Sequence, residues 1–244
     1  MVNWGFFHIF ALLILITLDM NKVYDSHMTN EIKFHHLIDS GDEKGAIELL
    51  EQCGDSIDVN YKYNERIPIF SAIHQHMYDL YDEIVNHPMF NSTVEDGFGE
   101  TLLGSLLYLR GCDEIKDSPF KVEEIERMIK TILNNKKYDF NMTDINNDTV
   151  INIACGYPKL IWVVEELANK KDVNPNVIND FGRTALTTAI HWKNIEAIKI
   201  LATRKDVIVR PTDLEEADMV GIDLSDFGFE IAIKLKKAHE YAMV

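Results

Sequence analysis

Residues Phe181-Gly182-Arg183-Thr184-Ala185-Leu186-Thr187-Thr188-Ala189 decide how this chain folds. A glycine among polar residues suits a turn conformation that residues with a Cβ resist. Thr184 stands where a helix would start, and a threonine hydroxyl there can accept from an N–H of the first turn that has no partner inside the helix. The hexamer that Thr184 opens recurs. Ile67-Pro68-Ile69-Phe70-Ser71-Ala72 and Thr149-Val150-Ile151-Asn152-Ile153-Ala154 match it, and Thr101-Leu102-Leu103-Gly104-Ser105-Leu106 is a weaker copy. First positions at 67, 101, 149 and 184 are separated by 34, 48 and 35 residues. Self-similarity at such a spacing marks a chain of small units, none able to bury its apolar face alone.

Two further markers keep the same register. Asp58-Val59-Asn60, Asp139-Phe140-Asn141 and Asp172-Val173-Asn174 each precede a hexamer. Phe90-Asn91 fills that slot before Thr101, and Asp206-Val207-Ile208 follows the last clear copy. Asp and Asn can bond their own backbone there and end the preceding helix. Phe98-Gly99-Glu100-Thr101 is echoed by Phe181-Gly182-Arg183-Thr184 and loosely by Phe227-Gly228-Phe229-Glu230. Pro68 suits a first helical position, where its missing N–H costs nothing. Ala72, Ala154 and Ala189 are small enough to let a neighbouring helix approach closely.

With these residues the chain resembles the ankyrin-repeat family. The family hexamer Thr-Pro-Leu-His-x-Ala is best kept at 67–72, 149–154 and 184–189, and its turn Asp-x-x-Gly-x-Thr stands at Asp96–Thr101. Only Pro68 keeps the proline and no copy keeps the histidine. The resemblance covers about residues 30–244 and implies an all-α, ankyrin-type solenoid of stacked helix-turn-helix repeats with two insertions. Five or six units are expected: Glu31–Asp39 with Lys44–Gln52, Pro68–His76 with Tyr78–Asn86, Leu102–Arg110 with Val122–Asn135, Val150–Cys155 with Leu160–Asn169, and Ala185–Trp192 with Ile195–Arg204. A closing helix near Glu230–Tyr241, basic toward its C-terminal end, would complete the stack as a wet-faced cap. The insertions fall near Cys112–Lys121 and Val209–Asp226. In the second, Thr212-Asp213-Leu214-Glu215 has capping-box spacing and predicts a short extra helix.

Residues 1–27 form a separate apolar N-terminal segment, and 28–244 the repeat domain. Trp4–Leu18 is an apolar run of fifteen residues. A bilayer span needs about 20. The run has the length of a signal-peptide apolar region, but neither Lys nor Arg precedes it and no small-x-small site follows. A signal or anchor, a helix packed on the domain's end, and a segment foreign to the fold all remain open.

The 244 residues suffice for one or two domains. Forty acidic against 24 basic side chains give a net charge of −16, which argues against nucleic acid and anionic membrane and favours a partner protein with a basic surface. Cys53, Cys112 and Cys155 form no CxxC pair, so reduced thiols are expected. His35-His36 and His74-Gln75-His76 lack a third ligand at zinc-like spacing, and no metal or cofactor is expected. Asp226-Phe227-Gly228 copies a kinase tripeptide without its companion motifs, and no nucleophile elbow, phosphate loop or dinucleotide fingerprint occurs. The expectation is a non-enzymatic, monomeric, cytoplasmic interaction module or adaptor. The alternative is a membrane-tethered or exported ankyrin protein delivered by residues 1–27.

The resemblance implies that partners are held by turn tips and inner helices. The turn candidates are Tyr61, Tyr63, Arg66, Phe98, Asn146, Phe181 and Arg183; the inner-helix candidates are His74, His76, Tyr108, Arg110 and Trp192. Tyr, Trp and Arg dominate interface energetics. A repeated aromatic such as Phe98 and Phe181 also serves to pack one turn on the next. At least one of the insertions is expected to carry partner specificity, because the stack does not need it.

Overall fold

Among the described residues the short apolar pieces that open on a hexamer become helices, and polar turns become the links that reverse the chain. The computed structural model describes residues 28–112 and 120–229. The chain divides into two compact units, Met1–Phe90 and Asn91–Val244. Trp4–Leu18, the closing helix expected near Glu230–Tyr241 and most of the first insertion lie outside the described residues.

In the first unit, α1 (Asn30–Asp39) and α2 (Glu43–Cys53) form one antiparallel pair, α3 (Pro68–His74) and α4 (Tyr78–Asn86) the next. Pro68 occupies the first helical turn of α3, as its lack of an N–H allows. Helix α1 packs on α3 and α2 on α4. Glu43 fastens the second contact, because its Oε1 accepts from Asp79 N at 3.0 Å and Leu80 N at 3.1 Å, two donors that the start of α4 leaves unpaired.

In the second unit, α5 (Leu102–Gly111) pairs with α6 (Val122–Asn134), α7 (Val150–Cys155) with α8 (Ile161–Ala168), and α9 (Ala185–His191) with α10 (Ile195–Ala202). The inner helices stack in the order α5, α7, α9. Ala154 and Ala189 are fully buried between them, so the close approach that small residues permit is used here.

The segment expected as a second insertion is instead an inner helix. Helix α11 (Pro211–Val220) packs on α9 from the side opposite α7. Its buried Asp213 accepts from Thr187 Oγ1 at 2.5 Å and from Arg210 N at 2.6 Å. Arg210, not Thr212, precedes its first turn. What the sixth repeat has lost is the turn before its helix: only three residues separate Asp206 from Arg210, against nine between Asp139 and Thr149.

Among the described residues there is no strand; three isolated bridges, Tyr63–Arg66, Glu95–Thr101 and Thr143–Thr149, mark the bases of hairpin turns. In the second unit three hairpins share one construction. Asp96 Oδ1 accepts from Phe98 N at 2.8 Å and Glu100 N at 3.0 Å, Asp144 Oδ1 from Asn146 N and Asp148 N at 2.8 Å, and Asn179 Oδ1 from Phe181 N at 3.0 Å and Arg183 N at 2.9 Å. Gly99 and Gly182 carry φ of 80° and 73°, and Asn147 takes that left-handed role with φ 59°. Neighbouring hairpins bond through Ile145 N to Gly99 O at 3.1 Å and Asp180 N to Asn146 O at 2.9 Å.

The Asp-x-Asn marker has a second function. Asn60 Nδ2 donates to Met89 O at 2.7 Å, Asn141 Nδ2 to Asp172 O at 2.7 Å, and Asn176 Nδ2 to Asp206 O at 2.8 Å. Asn141 and Asn176 also accept, from Asn174 N at 2.7 Å and Ile208 N at 2.8 Å. In the fifth repeat the marker is therefore Asn174-Pro175-Asn176, two residues beyond the expected Asp172-Val173-Asn174.

Candidate functional site

The inner-helix side of the second unit holds a groove of about 510 Å³. Helix α5 brings Tyr108 and Gly111 to it, α7 brings Asn152 and Ile153, and α9 brings Thr188. The α7–α8 turn supplies Gly156 to Lys159, and the hairpins supply Asp148, Asn179, Phe181 and Arg183. Trp192, at the end of α9, closes one wall.

Its walls are set by what stands behind them. A Cβ on Gly111 would meet the Tyr157 ring at 2.6 Å, so only glycine lets that ring lie flat on the end of α5. Tyr157 in turn stands edge-on to Tyr108, ring centres 6.4 Å apart. Trp192 lies beside Gly156 and Thr188 and meets the His191 ring edge-on at 5.1 Å. Trp192 is 59% exposed and Phe181 65%, so both present apolar area to solvent. Arg183 Nη2 approaches the His191 ring at 3.3 Å, and His191 Nδ1 lies 2.7 Å from Glu216 Oε1.

The polar end of the groove is acidic. Asp148 accepts from Asn179 Nδ2 at 2.7 Å; burial raises its pKa, the Asn179 bond opposes that rise and the Asp144 charge adds to it. Tyr108 Oη donates to Asp144 Oδ2 at 3.1 Å, and burial with the neighbouring Asp144 pushes the phenol far above its ordinary range. Glu100 titrates at about 7: burial is the largest cause, followed by the charges of Asp144 and Asp96, and a hydrogen bond to Asp144 also favours the protonated form.

Of the twelve residues the sequence singles out, this groove unites four: Tyr108, Phe181, Arg183 and Trp192. Phe98, 82% exposed, and Asn146 sit on hairpin tips of the same unit without lining it. Arg110 belongs to the scaffold, since its guanidinium meets Glu126 at 2.8 Å and ties α5 to α6. Tyr61, Tyr63, Arg66, His74 and His76 belong to the first unit. There Arg66 forms a two-pronged pair with Asp39, both contacts 2.8 Å, and Tyr63 stacks beside His35 and His36. His76 is not on an inner helix: it turns the chain between α3 and α4 with φ 58°, its Nδ1 2.8 Å from Tyr78 Oη. His74 is exposed at the end of α3, and Trp192 follows α9 rather than belonging to it. Among the described residues no three His, Cys, Asp or Glu side chains converge as a metal site.

Asn152, Tyr157 and Thr188 complete the groove without having been singled out. Asn152 had a signal, a polar residue in the fourth place of a hexamer that is otherwise apolar after Thr149. Its Nδ2 contacts the carbonyls of Val177 and Arg183 at 3.4 Å, so it holds the next hairpin in place.

The family model of ankyrin repeats in three copies matches residues 122–211, from α6 to the first residue of α11. No curated protein matches the sequence. Paired helices, left-handed hairpin turns and the match to the repeat model agree: residues 122–211 of this chain are ankyrin repeats.

Proposed function

We propose that this chain is a non-enzymatic adaptor that holds a partner protein in the groove of its second unit. Ankyrin repeats are in general protein–protein interaction modules. The observation that carries the reading here is the clustering of Tyr108, Phe181, Arg183 and Trp192 around one 510 Å³ groove, with Trp192 and Phe181 more than half exposed. Aromatic anchors beside an arginine are the side chains whose removal costs most at interfaces. The groove is broad and lacks a nucleophile–base pair, which suits grip rather than catalysis. The net charge of −16 favours a partner with a basic surface. Cys112, the first residue of the first expected insertion, lines the groove.

A pull-down from cells compares the full chain with its Phe181→Ala/Trp192→Ala variant, after circular dichroism shows both to be folded. A partner retained by the first and lost from the second supports the reading. An identical set of partners refutes it. The second reading, delivery to a membrane or out of the cell, rests on the apolar run Trp4–Leu18. Among the described residues no helix is long and apolar enough to cross a membrane. Recovery of full-length chain in the membrane pellet favours delivery by this segment.

A further inference from the structure

The groove contains chemistry that its aromatic walls do not explain. Its floor is short of donors. Asn152 is fully buried; its Nδ2 is shared among the Val177 and Arg183 carbonyls and the Asp148 carboxylate, and its Oδ1 is left without a partner. Thr188 Oγ1, in a residue 8% exposed, has no partner either. Buried polar atoms without partners cost free energy until a guest supplies them. Beside Asn152 stands Asp148, the inner end of a row of carboxylates that continues through Asp144 to Glu100 on the preceding hairpin.

We infer that this corner of the groove receives a lysine or arginine side chain from an extended segment of the partner protein, its N–H groups going to Asp148 and Asn152 Oδ1. Tyr108 and Trp192 line the same groove, and aromatic walls favour a cation and its alkyl stem. The inference rests on the groove being the docking site. An anionic guest would meet the carboxylate row and the unpaired Asn152 Oδ1. Arg183 shares the groove but reaches toward the His191 ring rather than forming an ion pair with Asp148.

The carboxylate row gives the guest a pH signature. Glu100 faces Asp96 on its own hairpin, Asp144 and Asp148 on the next and Tyr108 on α5, while Arg183 of the following hairpin acts on Asp148. Near neutral pH Glu100 is partly protonated, and a cation is held better by its ionised form. Affinity therefore rises as pH is raised through about 7, and Glu100→Gln flattens that rise.

The test selects binders of the full chain from a phage-displayed random dodecapeptide library and measures synthetic copies by fluorescence anisotropy. The expected winners carry a Lys or Arg whose replacement by Gln weakens binding about tenfold or more. Trp192→Ala and Asp148→Asn in the protein each weaken binding by a similar factor, while Glu165→Gln, an equal charge change on the exposed face of α8, alters it less than about twofold. Asn at position 148 still accepts from Asn179, and if that variant fails to fold, the peptide-side replacement carries the test. Winners that need Trp192 but lack a basic residue, or tolerate its replacement, overturn the cation site and leave the groove reading standing. Winners indifferent to Trp192→Ala overturn both.

Discussion

Thr101 and Thr149 occupy the same place in their hexamers, and the structure gives their hydroxyls opposite energetic signs. Both precede an inner helix in extended backbone, with φ −68° and ψ 152° at Thr101 and φ −81° and ψ 159° at Thr149. Valine fits both conformations, so replacement by Val isolates the hydroxyl. Thr101 Oγ1 accepts from Gly104 N at 3.1 Å inside a residue 1% exposed; losing it strands a buried N–H, and the cost is about 1–2 kcal/mol. Thr149 is fully buried and its Oγ1 has no partner. Removing that hydroxyl relieves an unpaired buried group and adds apolar contact, a gain of about 1 kcal/mol. For a chain of this size each kilocalorie moves the melting temperature by about 2–4 °C. Thr149→Val therefore melts above the parent and Thr101→Val below it. Trp162 and Trp192 lie in the same unit as both threonines, so tryptophan fluorescence during urea unfolding reports on it. Because repeat arrays depart from all-or-none unfolding, midpoints for that signal are the quantity compared. If Thr149→Val falls as far as Thr101→Val, the account of the two hydroxyls is wrong.

Asn141→Ala removes both cross-repeat bonds of that side chain and is expected to cost about 2 kcal/mol, read as a lower urea midpoint; an unchanged midpoint would show the ladder to be ornamental. Glu100 titrates at about 7 when folded and near 4.5 when unfolded, so between these values the folded state binds more protons and stability falls as pH rises. Glu100→Gln lessens that decline by about 1 kcal/mol after allowance for solvent screening, which melting curves at about pH 5 and 8 measure. Dithionitrobenzoate labels the exposed Cys112 first, the half-buried Cys53 more slowly and Cys155 only on unfolding, because burial both hides the Cys155 thiol and raises its pKa. Rapid labelling of all three in the native chain would contradict the burial of α7.

The helix pairs are legible in the sequence because each hexamer carries its own start signal: Pro68, Thr101, Thr149 and Thr184 all stand within a residue of a helix start. The sixth inner helix is harder to read, because its hairpin is missing and with it the spacing that gives the register. The run Asp172-Val173-Asn174-Pro175-Asn176 offers two polar pairs one step apart, and only the contacts of Asn176 with Asp206 and Ile208 choose between them. The groove depends on side chains meeting from distant positions, as when Gly111 makes room for the Tyr157 ring, and no local periodicity carries that information. Arg66 and Arg110 show the converse: an arginine at an interaction-prone position is spent on Asp39 or Glu126, which lie on other helices.

Arg210 has a consequence for how the row of hairpins ends. In the second unit the first two hairpins each offer the next a backbone carbonyl, and on the third Gly182 O is taken at 3.1 Å by Arg210 Nη2 in place of another hairpin's amide. An unclaimed polar edge invites a foreign chain to pair with it. The guanidinium is a plug: a hairpin from a second copy would have to displace Arg210 before its amide could reach Gly182 O.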